Sequence, residues 1–554
     1  MKLVECVPNF SEGRDQKIIN AIADAARQVP GVVMLDVDPG AATNRTVYTF
    51  AGPPDAVVEA AFLAIKKGGE LIDMRNHKGS HARQGACDVC PFVPISEVSM
   101  EECVVLANTL AKRVGEELGL PVFLYAEAAR RPDRARLPDI RAGEYEALSD
   151  KMGRPEWAPE YGPNEFNPKF GVLTAGARPF LIAYNINLNT TSVRVAKEIA
   201  FTIRETGRVK KDAHGKTVTD QEGNSERTPG LFKNLQGTGW LIPEYNRAQI
   251  TVNILNIDTT PLHLVYDKCC ELAQNLGVRV TGSEIVGMVP QRVLREAGEY
   301  FLDKQGATTG IDEAEIIRNA CITLGLSDVT PFDPALKIIE NRFEKKRPLA
   351  QMTVKDFVGV LASNAPAPGG GSVAALSGAL SAGLASMVAA LTFDKKGFEV
   401  VRPEMKATGI AAQNILRKQM NAIDDDTAAF NRVMEGFAMP KKTEEQKSLR
   451  QKAIEHATKE ATLEPFGVLE RTISSLDLAL LVAEKGNQNS LSDAGVGALM
   501  ARAAAYGAFY NVLINLKGIE DKAWCADIKK KAETILQTVA TKAATIEQLM
   551  LDRL

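Results

Sequence analysis

The sequence predicts a multidomain chain, two α/β subdomains followed by an all-α helical-bundle domain. Three observations carry that prediction. At 554 residues the chain is too long for one ordinary core. Up to about residue 335, short β-rich runs alternate with amphipathic helical runs, the grammar of α/β domains. From Thr353 to the end the patterns are almost all helical and rich in Ala, Leu, Lys and Glu.

The elements follow in order. VVMLDVD and RTVYTFAG read as strands, and PDAVVEAAFLAIKKGGELID as an amphipathic helix. CDVCPFVPI, SMEECVVLANTLAKRVGEEL and PVFLYAEA read as strand, helix, strand. A loop-rich passage fills residues 130–178. The alternation then resumes with FLIAYNINL, SVRVAKEIAFTIRET, AQITVNILN and LHLVYDKCCELAQNL. The polar run 208–230 has no apolar period and reads as a hairpin or mobile insertion. These patterns divide the chain at 1–177, 178–335, a basic Pro-containing linker at 336–352, and 353–554. Thr353 to Asp356 supply a capping-box-like helix start. Ser492 and Asp493 read as the N-terminal cap of a later helix.

Composition excludes several classes. The chain is 45% hydrophobic and 24% charged with net charge −3, so no global field favours nucleic acid. The start MKLVECVPNF lacks the apolar region of a signal peptide, and eight cysteines in so long a chain fit reduced thiols in the cytoplasm. Phe357 to Phe393 carry no charge, a length sufficient for a membrane span. Their apolar part is mostly Ala, Gly and Ser, with small-xxx-small pairs, which predicts a buried central helix.

Two of the five histidines, His77 and His81, lie four apart in RNHKGSHARQG. Gly79 stands between them and the Glu of HExxH is absent, so a zinc site is not favoured and no metal is assigned. On a polar loop between helix and strand, either histidine suits a general base near neutral pH. Cys87 and Cys90 form a CxxC inside a strand pattern. Strand alternation would send them to opposite faces, as two small core residues.

The stretch IDDDTAAF interrupts a long apolar periodicity with Asp424, Asp425 and Asp426. On a helical wheel, Leu416, Met420, Ile423, Phe430, Met434 and Phe437 share a face. Taking Phe430 as zero, Asp426 falls at roughly −40°, Asp425 at roughly −140° and Asp424 near +120°. Asp426 is thus expected in the apolar stripe, Asp424 on its flank and Asp425 in solvent. An inward carboxylate is either ion-paired to a neighbouring helix or held with a raised pKa, fit for proton transfer. Just before the Ala-rich helix, APAPGGGS places glycines at a helix start. Such a start packs closely on a neighbour or offers N–H groups to an anion or polar ligand.

Taken together, VECVPNFSEG, TNRTVYTFAGPP, HKGSHARQGACDVCPF and RAGEYEAL resemble glutamate formimidoyltransferase. APGGGSVAA, IDDDTAAF and GAFYNVLINL resemble formimidoyltetrahydrofolate cyclodeaminase. Their order is similar to the bifunctional formimidoyltransferase-cyclodeaminase family of histidine degradation, over nearly the whole chain. The resemblance implies that His81 is the transferase base, followed by Arg83, Gly85 and Asp88. It implies that Asp426 is the cyclodeaminase acid/base. It also implies a folate-binding segment at Gly162, Pro163, Asn164, Glu165, Phe166, Asn167, Pro168, Lys169, Phe170 and Gly171, with Phe170 where a tryptophan is expected. Cys87 stands where an aliphatic residue is expected, and 208–230 is an insertion. Asp38, Asn44 and Arg45 are either polar neighbours of the base or turn formers. Further implications are tetrahydrofolate as co-substrate (polyglutamylated), glutamate or formimidoylglutamate as partner substrate, a homo-oligomer, and no metal. Two alternatives stand beside this reading. One is a transferase fused to an inert helical assembly module; the other is a membrane-anchored scaffold.

Overall fold

The structure is a computed structural model that describes residues 2–41, 43–79, 82–212, 214–220, 223–343 and 346–554. The chain forms two compact units, residues 1–297 with 321–344, and residues 298–320 with 345–554.

Among its described residues the first unit holds two large sheets and one two-stranded hairpin. The first sheet is built from β1 (Leu3–Cys6), β2 (Asn9–Phe10), β3 (Val33–Gly40), β4 (Arg45–Gly52), β5 (Cys87–Ser96), β6 (Val122–Ala126) and β7 (Leu173–Ala177). β5, β7 and β6 run parallel, and the remaining pairs are antiparallel. Helices α1 (Gln16–Arg27), α2 (Pro54–Leu71) and α3 (Met100–Glu117) cover one face. Their apolar stripes and the inward residues of the strands make a core that includes Phe10, Tyr48, Phe50, Phe92 and Ile65. Ser99 and Glu102 close a capping box at the start of α3. On the other face, the loop-rich passage carries two single-turn helices, α4 (Leu137–Ile140) and α5 (Leu148–Lys151). It packs Ile140, Leu148 and Met152 against Val89 and Phe123.

The second sheet has the order β11–β12–β8–β13, all antiparallel, from β8 (Ile182–Leu188), β11 (Leu235–Ile242), β12 (Arg247–Ile254) and β13 (Val280–Val286). α6 (Val193–Ile203) and α7 (Leu262–Asn275) follow β8 and β12. Between α6 and β11 the two ends of the 208–230 run pair as a short hairpin. There β9 (Arg208–Val209) pairs with β10 (Arg227–Thr228), as its lack of apolar period predicts. Then come α8 (Gln291–Lys304), α9 (Glu313–Thr323) and α10 (Pro334–Lys337).

The second unit is helical: α11 (Val354–Leu361), α12 (Gly370–Phe393), α13 (Arg402–Ala438), α14 (Glu444–Lys485), α15 (Leu491–Leu516) and α16 (Lys522–Arg553). Thr353 caps α11, accepting from the Asp356 N–H at 3.1 Å. α12 packs against α13, α14 and α15 through Ala374, Ala375, Gly378, Ala382 and Ala389. It is the one described helix long and apolar enough to cross a membrane, and it lies inside the bundle with its small residues inward. Ser386 Oγ donates to the Gly310 carbonyl at 3.2 Å, tying residues 298–320 into this unit.

Three expectations need correction. The cap of α15 is Ser490, so Ser492 and Asp493 lie inside its first turn. Cys87 and Cys90 do not face opposite ways; both are fully buried in the same core, with Cys90 Sγ 3.4 Å from Cys6 Sγ. The alternation is reset by a bulge: Asn9 pairs with Val89 but Phe10 with Cys87, leaving Asp88 as the extra residue. Finally, the wheel misplaced the buried face of α13. Met434 and Phe437 are 49% and 50% exposed, whereas Ala422, Ala429 and Gly436 are buried. Small residues permit the close approach of α14, and the large ones overhang it.

Candidate functional site

Two sites emerge, one in each unit. In the first, the β3–β4 turn, the segment after α2 and the 140s loop converge. Asn44 sits at φ +51°, where asparagine is tolerated. Its Oδ1 accepts from Gly13 N and its Nδ2 donates to the Lys78 carbonyl, each at 3.0 Å. Asn44 thereby fixes the histidine loop to the sheet. Gly79 passes so near that a Cβ there would stand 2.1 Å from the Thr43 carbonyl oxygen.

His77 is tied at both ring nitrogens. Arg83 Nε donates to Nδ1 at 3.3 Å, which leaves the proton on Nε2 for the Asn44 carbonyl at 2.8 Å. Burial and the nearby Arg83 charge hold its pKa below the ordinary histidine value. Both ring nitrogens of His77 are thus engaged within the protein. His81 lies outside the described residues. Arg83 is buried and grips Glu144 at 3.0 Å and Glu146 at 2.7 Å. That hydrogen bond and charge hold the Glu146 carboxyl below its usual value. With Lys78, Gly79 and Gly143 these residues line a polar cavity of about 540 Å³.

The bulge puts Asp88 to use. It accepts from the Gln84 N–H at 2.8 Å and pairs with Arg141, and Arg45 lies within reach of both charges and of Asp38. Asn44 is both a turn former and a neighbour of the histidine loop. Sequence reasoning noted RAGEYEAL only as part of a resemblance and gave no role to its Arg141, Glu144 and Glu146, which meet Asp88 and Arg83 only through the fold.

The expected folate segment runs beside this cavity. Phe166 packs against Tyr145, ring centroids 5.6 Å apart, and Tyr145 Oη donates to the Pro168 carbonyl at 2.6 Å. Asn164 accepts from Gly153 N at 3.0 Å, and Lys169 Nζ donates to the Glu70 carbonyl at 2.9 Å. Phe170, expected against a ring of folate, is instead 2% exposed and packs on Gly69 in the first core. Its backbone is drawn inward, where its carbonyl accepts from Ala86 N at 2.7 Å. Phe166 is the aromatic left at the loop surface.

In the helical unit, the three adjacent acids of α13 have three fates. Asp424, at 9% exposure, is the most buried and not a flank residue. It accepts from the N–H groups of Leu349 and Ala350 at 2.9 and 3.0 Å. Asp425, expected in solvent, pairs with Arg347 at 3.1 Å. The turn that leads into α11 thus lies over the side of the helix that the wheel left open. Asp426 turns to the N-terminus of α12, as expected of an inward acid. It accepts from Ser372 Oγ at 3.2 Å and from the Ser372 backbone. A Cβ on Gly371 would fall 2.1 Å from Asp426 Oδ1, so only glycine admits this approach. The glycine-started helix therefore presents its free N–H groups to the protein's own carboxylate. Among the described residues no cation pairs with Asp426. Burial raises its pKa and the Ser372 bonds only partly offset that. A carboxyl so placed can both take and give a proton.

Known proteins show both halves. A family model described as "Formiminotransferase domain, N-terminal subdomain" matches residues 3–178, and "Formiminotransferase domain" matches 183–344. "Formiminotransferase-cyclodeaminase" matches 353–534. The chain is 41% identical over 552 residues to formimidoyltransferase-cyclodeaminase of Gallus gallus, covering 99% of each. It is 42% identical over 549 residues to that of Rattus norvegicus, covering 98% of each. Glutamate formimidoyltransferase of Thermoplasma acidophilum is 42% identical over 319 residues, 57% of this chain and 96% of its own length.

Proposed function

Because the chain belongs to the formimidoyltransferase-cyclodeaminase family, we propose that His81 and Asp426 are the proton carriers of its two reactions. The protein is a bifunctional folate enzyme. It moves the formimidoyl group between formimidoylglutamate and tetrahydrofolate. It then cyclises 5-formimidoyl-tetrahydrofolate to 5,10-methenyl-tetrahydrofolate with release of ammonia.

For the transfer, the glutamate amine attacks the formimidoyl carbon on N5 of the folate. An ammonium cannot attack, so a base must hold its proton, and His81 is that base. Support comes from the sequence neighbours of His81, since Lys78, Gly79 and Arg83 line the polar cavity. His77 is excluded by its two fixed ring bonds. Folate is assigned to the 162–171 loop, with the half-buried Phe166 as its aromatic and Tyr145 packed against it.

For the ring closure, N10 attacks the same carbon, N10 loses a proton and the departing amine gains one. The observation that carries the assignment is that Asp424 and Asp425 are committed to structure while Asp426 is not. It sits half-buried with a raised pKa. On this reading the transferase belongs to residues 1–335 and the cyclodeaminase to 353–554. An inert helical module would have no need of a buried carboxylate without a cation.

His81→Ala should lower glutamate formation from formimidoylglutamate at least about 100-fold. The same variant should still convert supplied 5-formimidoyl-tetrahydrofolate at the wild-type rate. Wild-type transfer by the variant removes His81 from the mechanism.

We also read the protein as cytoplasmic, homo-oligomeric and acting on polyglutamylated folate. All eight cysteines are free thiols, in keeping with a reducing compartment. Exposed Val496, Leu499, Tyr510 and Ile514 on α15 supply apolar surface suited to a second copy.

A further inference from the structure

α13 and α14 run antiparallel, joined by Arg432 Nε donating to Glu460 Oε2 at 3.1 Å and, on the other side, by Gln419 Nε2 donating to the Val468 carbonyl at 3.3 Å. That register sets a second carboxyl, Glu464, level with Asp425 and Asp426. Glu464 lies on α14, and Asp425, Asp426, Arg432 and Arg471 are the charges that act on it. Among the described residues it makes no hydrogen bond or ion pair. Its neighbour on the same helix face, Arg471, lies back along α14. Arg471 Nη1 is 3.2 Å from where a Cβ on Gly467 would stand. Arg471 Nε donates to Gln419 Oε1 at 3.2 Å, and Gln419 Nε2 in turn donates to the Val468 carbonyl at 3.3 Å. That bond holds the guanidinium without spending its two Nη groups. Next to Glu464, Pro465 interrupts the hydrogen-bond ladder of α14, and Asn515 Nδ2 of α15 supplies the Ala461 carbonyl with a donor at 2.8 Å. Glu464 is thus set at a braced irregularity in a long helix, level with the carboxylate already assigned to proton transfer.

Resting on the cyclodeaminase reading above, we propose that Glu464 is the second proton carrier of the ring closure, acting as the acid while Asp426 acts as the base. The two environments divide the roles. Asp426 accepts hydrogen bonds from Ser372, which favour its carboxylate. Glu464 has none, and burial with the repulsion of Asp425 and Asp426 favours its neutral form.

The step balances as follows. N10 attacks the carbon of the N5-amidinium, forming the C–N10 bond, and the C=N electron pair moves onto the departing nitrogen. Asp426 takes the proton from N10. Glu464 gives its proton to that pair on the departing amine, the C–N bond breaks and ammonia leaves with the electron pair of the broken bond. The N5 lone pair completes the methenyl cation. The proton on Asp426 then returns to Glu464, so substrate cation gives product cation and ammonia with no net change in the enzyme.

The test uses the full chain and follows methenyl-tetrahydrofolate by its ultraviolet absorbance, with 5-formimidoyl-tetrahydrofolate supplied. Glu464→Gln should lower kcat about 100-fold with KM within about threefold. It should also remove the alkaline limb of the pH–kcat profile, since that limb reports loss of the acid's proton. Glu464→Asp should recover part of the rate, and the thermal midpoint of the helical unit in the same preparations should be unchanged, which excludes misfolding of that unit. Unchanged kcat would overturn the proposal, as would a raised KM with kcat retained, which marks a substrate-binding carboxylate. Asp426→Asn is measured alongside. If it keeps its activity, the underlying site is wrong. If it is inactive while Glu464→Gln is normal, only the second carrier falls.

Discussion

Three identical side chains in a row on α13 behave as three different groups. Asp424 is a backbone anchor, Asp425 an ion-pair partner and Asp426 a titratable acid. What separates them is 100° of helix per residue and the identity of what lies opposite. The sequence wheel picked Asp426 because that angle is local. It could not place Asp424 and Asp425, whose partners Leu349, Ala350 and Arg347 come from a segment some seventy residues earlier. Glu5 shows the same limit. It is a 6% exposed carboxylate in β1 whose pKa burial raises to about 7, against an opposing pull from Arg178. No pattern in MKLVECVPNF marks it. The native state binds a proton there that the unfolded chain has lost, so stability falls as pH rises from the ordinary glutamate range to about 7. Glu5→Gln should therefore be more stable than wild type at pH 8, by up to about 3 kcal/mol. The difference should close toward pH 4.5. Urea midpoints of both proteins across that range check it, and a constant gap would refute it.

Elements were more legible than their faces. RTVYTFAG is β4 residue for residue, and the two ends of the 208–230 run pair as a hairpin. Period and turn chemistry act within a few residues, so they survive reading one chain at a time. β5 failed at the level of facing, because the bulge that turns Asp88 toward Arg141 depends on the register with β2. α13 failed likewise, because large side chains dominate a wheel while small ones make the contact. α14 runs through Pro465 without breaking, since Asn515 supplies the donor for the Ala461 carbonyl. Asn515→Ala should leave that carbonyl unsatisfied and cost about 1–3 kcal/mol. Thermal unfolding of the full chain should show a lower midpoint for the helical transition, and an unchanged midpoint would show that water replaces the amide.

At the scale of the whole molecule, the sequence separated an α/β part from a helical part because the two obey different periodicities. It also supplied the order of two sets of motifs. It could not reveal that residues 298–320 group with the helical unit, since the Ser386–Gly310 bond joins positions 76 residues apart. Nor could it bring Glu464 to Asp426. One chain with two chemistries makes a sharp demand on a single side chain. Given formimidoylglutamate and tetrahydrofolate, full-length Asp426→Asn should release glutamate at the wild-type rate and accumulate 5-formimidoyl-tetrahydrofolate. Its rate of methenyl-tetrahydrofolate formation, read by ultraviolet absorbance, should drop at least about 100-fold. Methenyl product appearing at the wild-type rate would contradict the account.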